Sequence, residues 1–150
     1  MRRAAIHRQR SWPWKPALLL AVFCSLSASA WADENTLSGN FLFNVISSSE
    51  PHREAIKGLL RGRPGLPSWV RNMVTRGDYV AIASVEVSVD GKPMQLFSAC
   101  EAGRCADSSI KVLFSADGKR AVLDVRDKKL GETTLGEPTP AEASVLLKDK

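Results

Sequence analysis

Histidine, tyrosine and cysteine are scarce: the 150-residue chain holds 2, 1 and 3 of them. That scarcity excludes much chemistry. A metal centre needs His, Cys, Asp or Glu at ligand spacing, and no such cluster accompanies the histidines. Beyond the N-terminal stretch His52 stands alone, with no nucleophile motif to build a Ser-His-Asp triad. The cysteines Cys24, Cys100 and Cys105 do not form a Cys-x-x-Cys redox pair. There is no internal repeat and no low-complexity tract. The residues therefore point to no catalytic group, no metal and no cofactor, and the chain reads as a binding protein rather than an enzyme.

Long apolar runs are also missing. The only one, Ala17 to Leu26, falls short of the about 20 residues that span a bilayer. Arg2, Arg3, Arg8, Arg10 and Lys15 precede it without an acid, and the small-residue pattern Ala28-Ser29-Ala30-Trp31-Ala32 follows. Basic region, short apolar region and Ala-x-Ala site predict a secretory signal peptide over residues 1–32, cut after Ala32. A lipoprotein leader using Cys24 competes, but Phe23 sits where that chemistry wants a small residue. Without the leader, 16 basic and 16 acidic residues remain, so the formal charge of +5 falls to zero. A neutral chain gives no footprint for a nucleic-acid partner, and no membrane contact is expected after cleavage. Residues 33–150 suit one domain, exported and, in a Gram-negative cell, periplasmic. The two cysteines left read as a disulfide in an oxidising compartment.

Residues 33–150 change period midway. Asn40–Ile46 is apolar and aromatic, and too short for periodicity to choose helix or strand. Ser49-Glu50-Pro51 predicts a helix start, with Ser49 as cap, and Ala55, Ile56, Leu59 and Leu60 follow at helical spacing. Residues 62–67 break that helix. Ser68 is placed to cap a second one, with Trp69, Val70, Met73 and Val74 on its face. From Val80 to Val89 apolar residues alternate, with an irregularity near Ala83. Asp90-Gly91 predicts a hairpin turn. Strands follow at Pro93–Ala99, Ile110–Ser115, Ala121–Val125 and Leu130–Leu135, and Thr139-Pro140 opens a last helix. The expected class is α+β: a central antiparallel sheet of about five strands in meander order, flanked by helices.

Cys100-Glu101-Ala102-Gly103-Arg104-Cys105 lies between two of those strands. A disulfide here closes a short loop, worth about 2 kcal/mol in the chain-entropy model. Gly103 allows a turn closed to other residues. Arg104 offers a planar donor fork suited to carboxylates, or pairs with Glu101. The residues alone leave two readings: a staple with an inert loop, or a rigid finger for another protein's cleft.

A Cys-x4-Cys between meander strands, preceded by Phe97-Ser98-Ala99, resembles the inhibitor of vertebrate lysozyme (Ivy) family. Leu66-Pro67-Ser68-Trp69-Val70, Ile110-Lys111-Val112-Leu113-Phe114 and Leu135-Gly136-Glu137-Pro138 agree in order and spacing. So does the early apolar stretch and helix up to Leu60. The resemblance covers most of residues 33–150. It implies a periplasmic protein that blocks a c-type lysozyme by pushing a disulfide-closed loop into its active-site cleft, often as a homodimer. The family's loop reads cysteine, lysine, proline, histidine, aspartate, cysteine. Here Glu101, Ala102, Gly103 and Arg104 fill the frame, with Gly103 at the histidine's place. The expected target-binding residues are these four, Arg104 taking the main polar contact. A lytic transglycosylase cleft is the second expected target. A non-inhibitory binding or structural module on the same scaffold is the third reading.

The other candidates favour plain roles. His52, near a helix start, reads as a surface residue. Trp69 reads as core at its helical spacing. Arg61, Arg63, Arg71 and Arg76 read as a solvated face before an anion-binding patch.

Overall fold

The computed structural model describes residues 36–148. The signal peptide read over residues 1–32 and its cleavage point lie outside the described residues. Three helices come first: α1 (Leu42–Ser48), α2 (Glu50–Leu60) and α3 (Ser68–Asn72). Six strands follow: β1 (Tyr79–Ala81), β2 (Val85–Val89), β3 (Lys92–Glu101), β4 (Ser108–Ser115), β5 (Ala121–Asp127) and β6 (Gly131–Leu135). Helix α4 (Pro140–Leu146) comes last. All pairings are antiparallel, and β2, β3, β4, β5 and β6 follow one another as a five-strand meander, with β1 pairing the far end of β3. The α+β class is as the sequence leads one to expect.

The sixth strand arises because the alternating run from Val80 to Val89 is cut in two. Both pieces, β1 and β2, pair with β3. The cut has a cause at Ser84, which is buried. Its hydroxyl accepts from the Asn40 N–H and the Gln95 Nε2, each at 3.0 Å, and donates to the Leu37 carbonyl at 3.0 Å. A side chain turned inward to hold the segment before α1 takes its backbone out of the ladder.

The ambiguous Asn40–Ile46 stretch is helical. Leu42 and Ile46, four apart, share one face and are fully buried. Ser49 occupies the N-cap of α2, but its hydroxyl makes no cap bond there; it meets His52 Nδ1 at 2.7 Å. Pro67, not Ser68, is the N-cap of α3. Thr139 caps α4 as expected, within a full capping box. Its Oγ1 accepts from the Glu142 N–H at 3.2 Å, and Glu142 Oε2 accepts from the Thr139 N–H at 2.8 Å.

Helices cover both sheet faces. Phe97, Val112, Phe114 and Leu123 pack under α1, α2 and α3 through Leu42, Ile56 and Val70. On the opposite face Met94, Leu113 and Val122 pack under Leu146 of α4. Helix α4 has seven residues, and its cluster takes the sheet positions nearest the Asp90-Gly91 turn. The half of this face near the cysteines is left to other uses.

His52 is not the surface residue that its place near a helix start implies. It is buried, with its ring 4.8 Å from Phe114, over the backbone of Gly118. Burial holds its pKa below the ordinary 6.5, with the Asp117 charge opposing. Glu142 is buried too. The Arg120 guanidinium, bonded at 2.7 and 2.8 Å, and the Thr139 N–H pull its pKa down to about 2. Both groups have folded pKa values below their unfolded ones. Their stabilisation is therefore complete above the unfolded value and is lost as pH falls through the folded one. The thermal midpoint is expected to decline first below pH 6.5, as His52 takes a buried charge, and again from 4.5 towards about 2 as Glu142 protonates. A midpoint flat from about pH 7 to about pH 5 would contradict the first step.

Candidate functional site

Strands β3 and β4 are the longest two, and their hairpin carries the cysteines at its tip. Cys100, near the end of β3, forms a disulfide with Cys105, with Cα atoms 4.8 Å apart. Inside the loop the backbone folds on itself. The Arg104 N–H donates to the Glu101 carbonyl at 2.9 Å, and the Arg104 carbonyl accepts from the Asp107 and Ser108 N–H groups at 2.9 Å. Gly103 has φ +78°, the left-handed conformation that glycine adopts without strain, and a Cβ there would meet open space. Ala102 and Gly103 are exposed at the tip.

The charged pair of the loop is internal. Arg104 Nη1 donates to Glu101 Oε2 at 2.6 Å, with side-chain exposures of 36% and 26%. Of the two roles open to Arg104 in the sequence, pairing with Glu101 is thus occupied. One nitrogen of the guanidinium is engaged there, and the fork has five N–H donors in all. Glu101 fixes where the remaining donors point.

The base of the loop is tied to the body at two places. Trp69 Nε1 of α3 donates to Ser108 Oγ at 2.8 Å. Ser108 in turn hydrogen-bonds Asp127 of β5, which with the Lys129 and Leu130 N–H groups holds that carboxyl below its ordinary pKa. Trp69 is buried, as expected of a core residue. On the flank, the Lys128 N–H donates to the Asp107 carbonyl at 2.8 Å, and Lys128 Nζ lies 3.4 Å from Asp107 Oδ1. The turn after β5 thereby braces the loop.

Two concavities flank it, and neither was legible in the sequence. An apolar groove of about 220 Å³ lies on the half-face that α4 leaves open. Val80, Ile82, Ile110 and the disulfide line it, and Asp124 and Arg126 bound it. Val80 and Ile82 are 50% and 65% exposed. The Arg126 Nε bonds Asp124 at 2.9 Å while its Nη2 meets the Leu146 carbonyl at 3.3 Å, so this pair also closes the end of α4. The second concavity, of about 250 Å³, lies between α3, β1 and Glu101. The alternation from Val80 onward was the one available signal for the groove; the second joins residues far apart in the chain.

Arg61, Arg63, Arg71 and Arg76 are all exposed. No group of three or more His, Cys, Asp or Glu side chains that could hold a metal occurs among the described residues, and none of their helices is long and apolar enough to cross a membrane. Compared with protein-family models and with curated proteins, the chain matches none.

Proposed function

We propose that this chain is an exported periplasmic inhibitor that protects peptidoglycan by inserting the Cys100–Cys105 loop into the active-site cleft of a c-type lysozyme. It acts by binding and not by catalysis. The observation that carries this reading is a crosslinked hairpin tip with Ala102 and Gly103 exposed and Arg104 held beside them by Glu101. A lysozyme cleft presents two carboxylates in different environments. A guanidinium with donors left over from Glu101 can make charge-assisted hydrogen bonds to such a pair. The Glu101–Arg104 pair enters with no net charge, which limits repulsion between Glu101 and the cleft. The ordered resemblance of the segments around the loop to the Ivy family supports the same target.

A second reading, a lytic transglycosylase as target, is favoured by charge. Residues 33–150 are formally neutral, so they lack the long-range field that steers a partner towards a strongly basic lysozyme. The test is direct. Leaderless protein is added to cell-wall lysis assays driven by a c-type lysozyme and by a lytic transglycosylase. Inhibition of the first supports the main reading and of the second alone the alternative. Inhibition of neither leaves a scaffold module and removes both. Reduction of the disulfide is expected to weaken inhibition about tenfold, because a loosened loop must be ordered on binding. Unchanged inhibition after verified reduction would contradict preorganisation.

A further inference from the structure

The row of cross-strand pairs facing α1, α2 and α3 changes character beneath the loop. Phe114 opposite Ala121, Val112 opposite Leu123 and Ile110 opposite Val125 are apolar and buried. The next pair, Ser108 opposite Asp127, is equally buried but polar, with 1% and 7% of its surfaces exposed. An apolar pair would join β4 to β5 there with no polar group to desolvate. The polar pair gives a fixed direction instead, because each of its groups must keep its hydrogen bonds.

Those bonds form a chain. Trp69 Nε1 donates to Ser108 Oγ at 2.8 Å, and the hydroxyl donates onward to the Asp127 carboxylate. Asp127 Oδ1 also accepts from the Lys129 and Leu130 N–H groups at 2.9 and 3.0 Å. From this carboxylate two links run to the root of the loop. One is Ser108, whose own N–H donates to the Arg104 carbonyl at 2.9 Å. The other is the turn over residues 128–130, from which the Lys128 N–H donates to the Asp107 carbonyl at 2.8 Å. The Ser108 hydrogen bond is the main cause that holds the Asp127 carboxyl below its ordinary pKa. The Arg104 charge acts in the same direction, so guanidinium and carboxylate feel each other across the root.

We infer that Ser108 and Asp127 are positioning residues for Arg104: their chain from Trp69 fixes both ends of the segment from Arg104 to Asp107, and so aims the guanidinium before any target arrives. The inference rests on the proposed inhibitory function and names what preorganises its main polar contact. Glu101 holds the arginine side chain from inside the loop. Asp127 and Ser108 hold its backbone from outside. A guanidinium aimed in advance loses little freedom on entering a cleft.

The order of the Arg104 Nε–H, read by NMR relaxation in the free leaderless protein, tests the aim without a target. Ser108→Ala and Asp127→Asn are each expected to lower it, while the Nε–H of Arg120, bonded to Glu142 at 2.8 Å, stays ordered. Both variants should weaken lysozyme inhibition about tenfold, but less than about twofold when Arg104→Ala is already present. A merely structural role would cost the same in both backgrounds. Trp69→Phe, which keeps an aromatic core residue and removes the N–H, is expected to act in the same direction and stands in if either variant fails to fold. Unchanged Arg104 order in the folded variants overturns the inference, and so do equal losses of inhibition with and without Arg104. Lost order in a protein that inhibits no muramidase keeps the positioning role and removes the inhibitory function.

Discussion

Replacing Arg104 with alanine is expected to weaken binding to a c-type lysozyme by about 2–4 kcal/mol, roughly 30-fold to 1,000-fold. The size follows from where the guanidinium goes. In the free protein it is partly exposed and shares one hydrogen bond with Glu101. In a closed cleft its other donors would face carboxylates with water excluded, where charge-assisted bonds are strongest. Truncation leaves those carboxylates, and Glu101, without a partner. Arg104→Lys should restore little, since a point charge cannot reproduce the planar fork. Glu101→Gln should cost less than Arg104→Ala, because it loosens the guanidinium without removing it. Inhibition constants from wall-lysis assays, paired with calorimetry, measure all three. Full inhibition by Arg104→Ala would remove this contact and throw the task onto the exposed Ala102-Gly103 tip.

The second large effect concerns stability. Gly136→Ala is expected to cost about 3 kcal/mol or more. Gly136 has φ +92°, where a residue with a Cβ is strained. Its added Cβ would also stand 2.5 Å from the Ala121 carbonyl oxygen and 3.2 Å from Val122 Cα, both backbone atoms of β5, and 3.2 Å from Leu59 Cδ2. The leucine can turn aside; a strand in the middle of the meander cannot. Gly131→Ala is the matched control, with φ +86° and nothing within 4 Å of the new Cβ. It carries the conformational penalty alone, about 1 kcal/mol. Denaturant midpoints of the two variants therefore separate backbone strain from close approach. Equal losses would show that the contact with β5 relaxes at no cost.

The sequence revealed the sheet better than the site. Strand periodicity and two-residue turns are local signals, and Asp90-Gly91 takes positive φ at both residues, 50° and 74°, as such a hairpin needs. The cap of α4 was equally local, with Thr139, Pro140 and Glu142 inside four residues. The cysteine pair framed the loop for the same reason. What escaped depends on distance along the chain. His52 is buried by Phe114 and Gly118, more than sixty residues away, and nothing beside it in sequence records that. Helix α1 needed the sheet to tell which of its apolar residues face inward. The pairing of Glu101 with Arg104 was one of two local options, and only the folded backbone of the loop selects it. The concavity beside the loop draws on positions 68 to 79 and on 101 and 102, which meet because β1 lies beside the end of β3.

The brace between Lys128 and Asp107 bears on how such a finger changes over generations. It grips the root of the hairpin through main-chain atoms and a residue outside the cysteine pair. Between the sulfurs the turn is kept by the Arg104-to-Glu101 backbone bond and the positive φ of Gly103, so the Ala102 side chain carries none of that task. Mutation can rewrite that side chain and have it presented on the same mount. Should the loop bind a target as proposed, such an edit would change what is presented to it while the rest of the protein stands still.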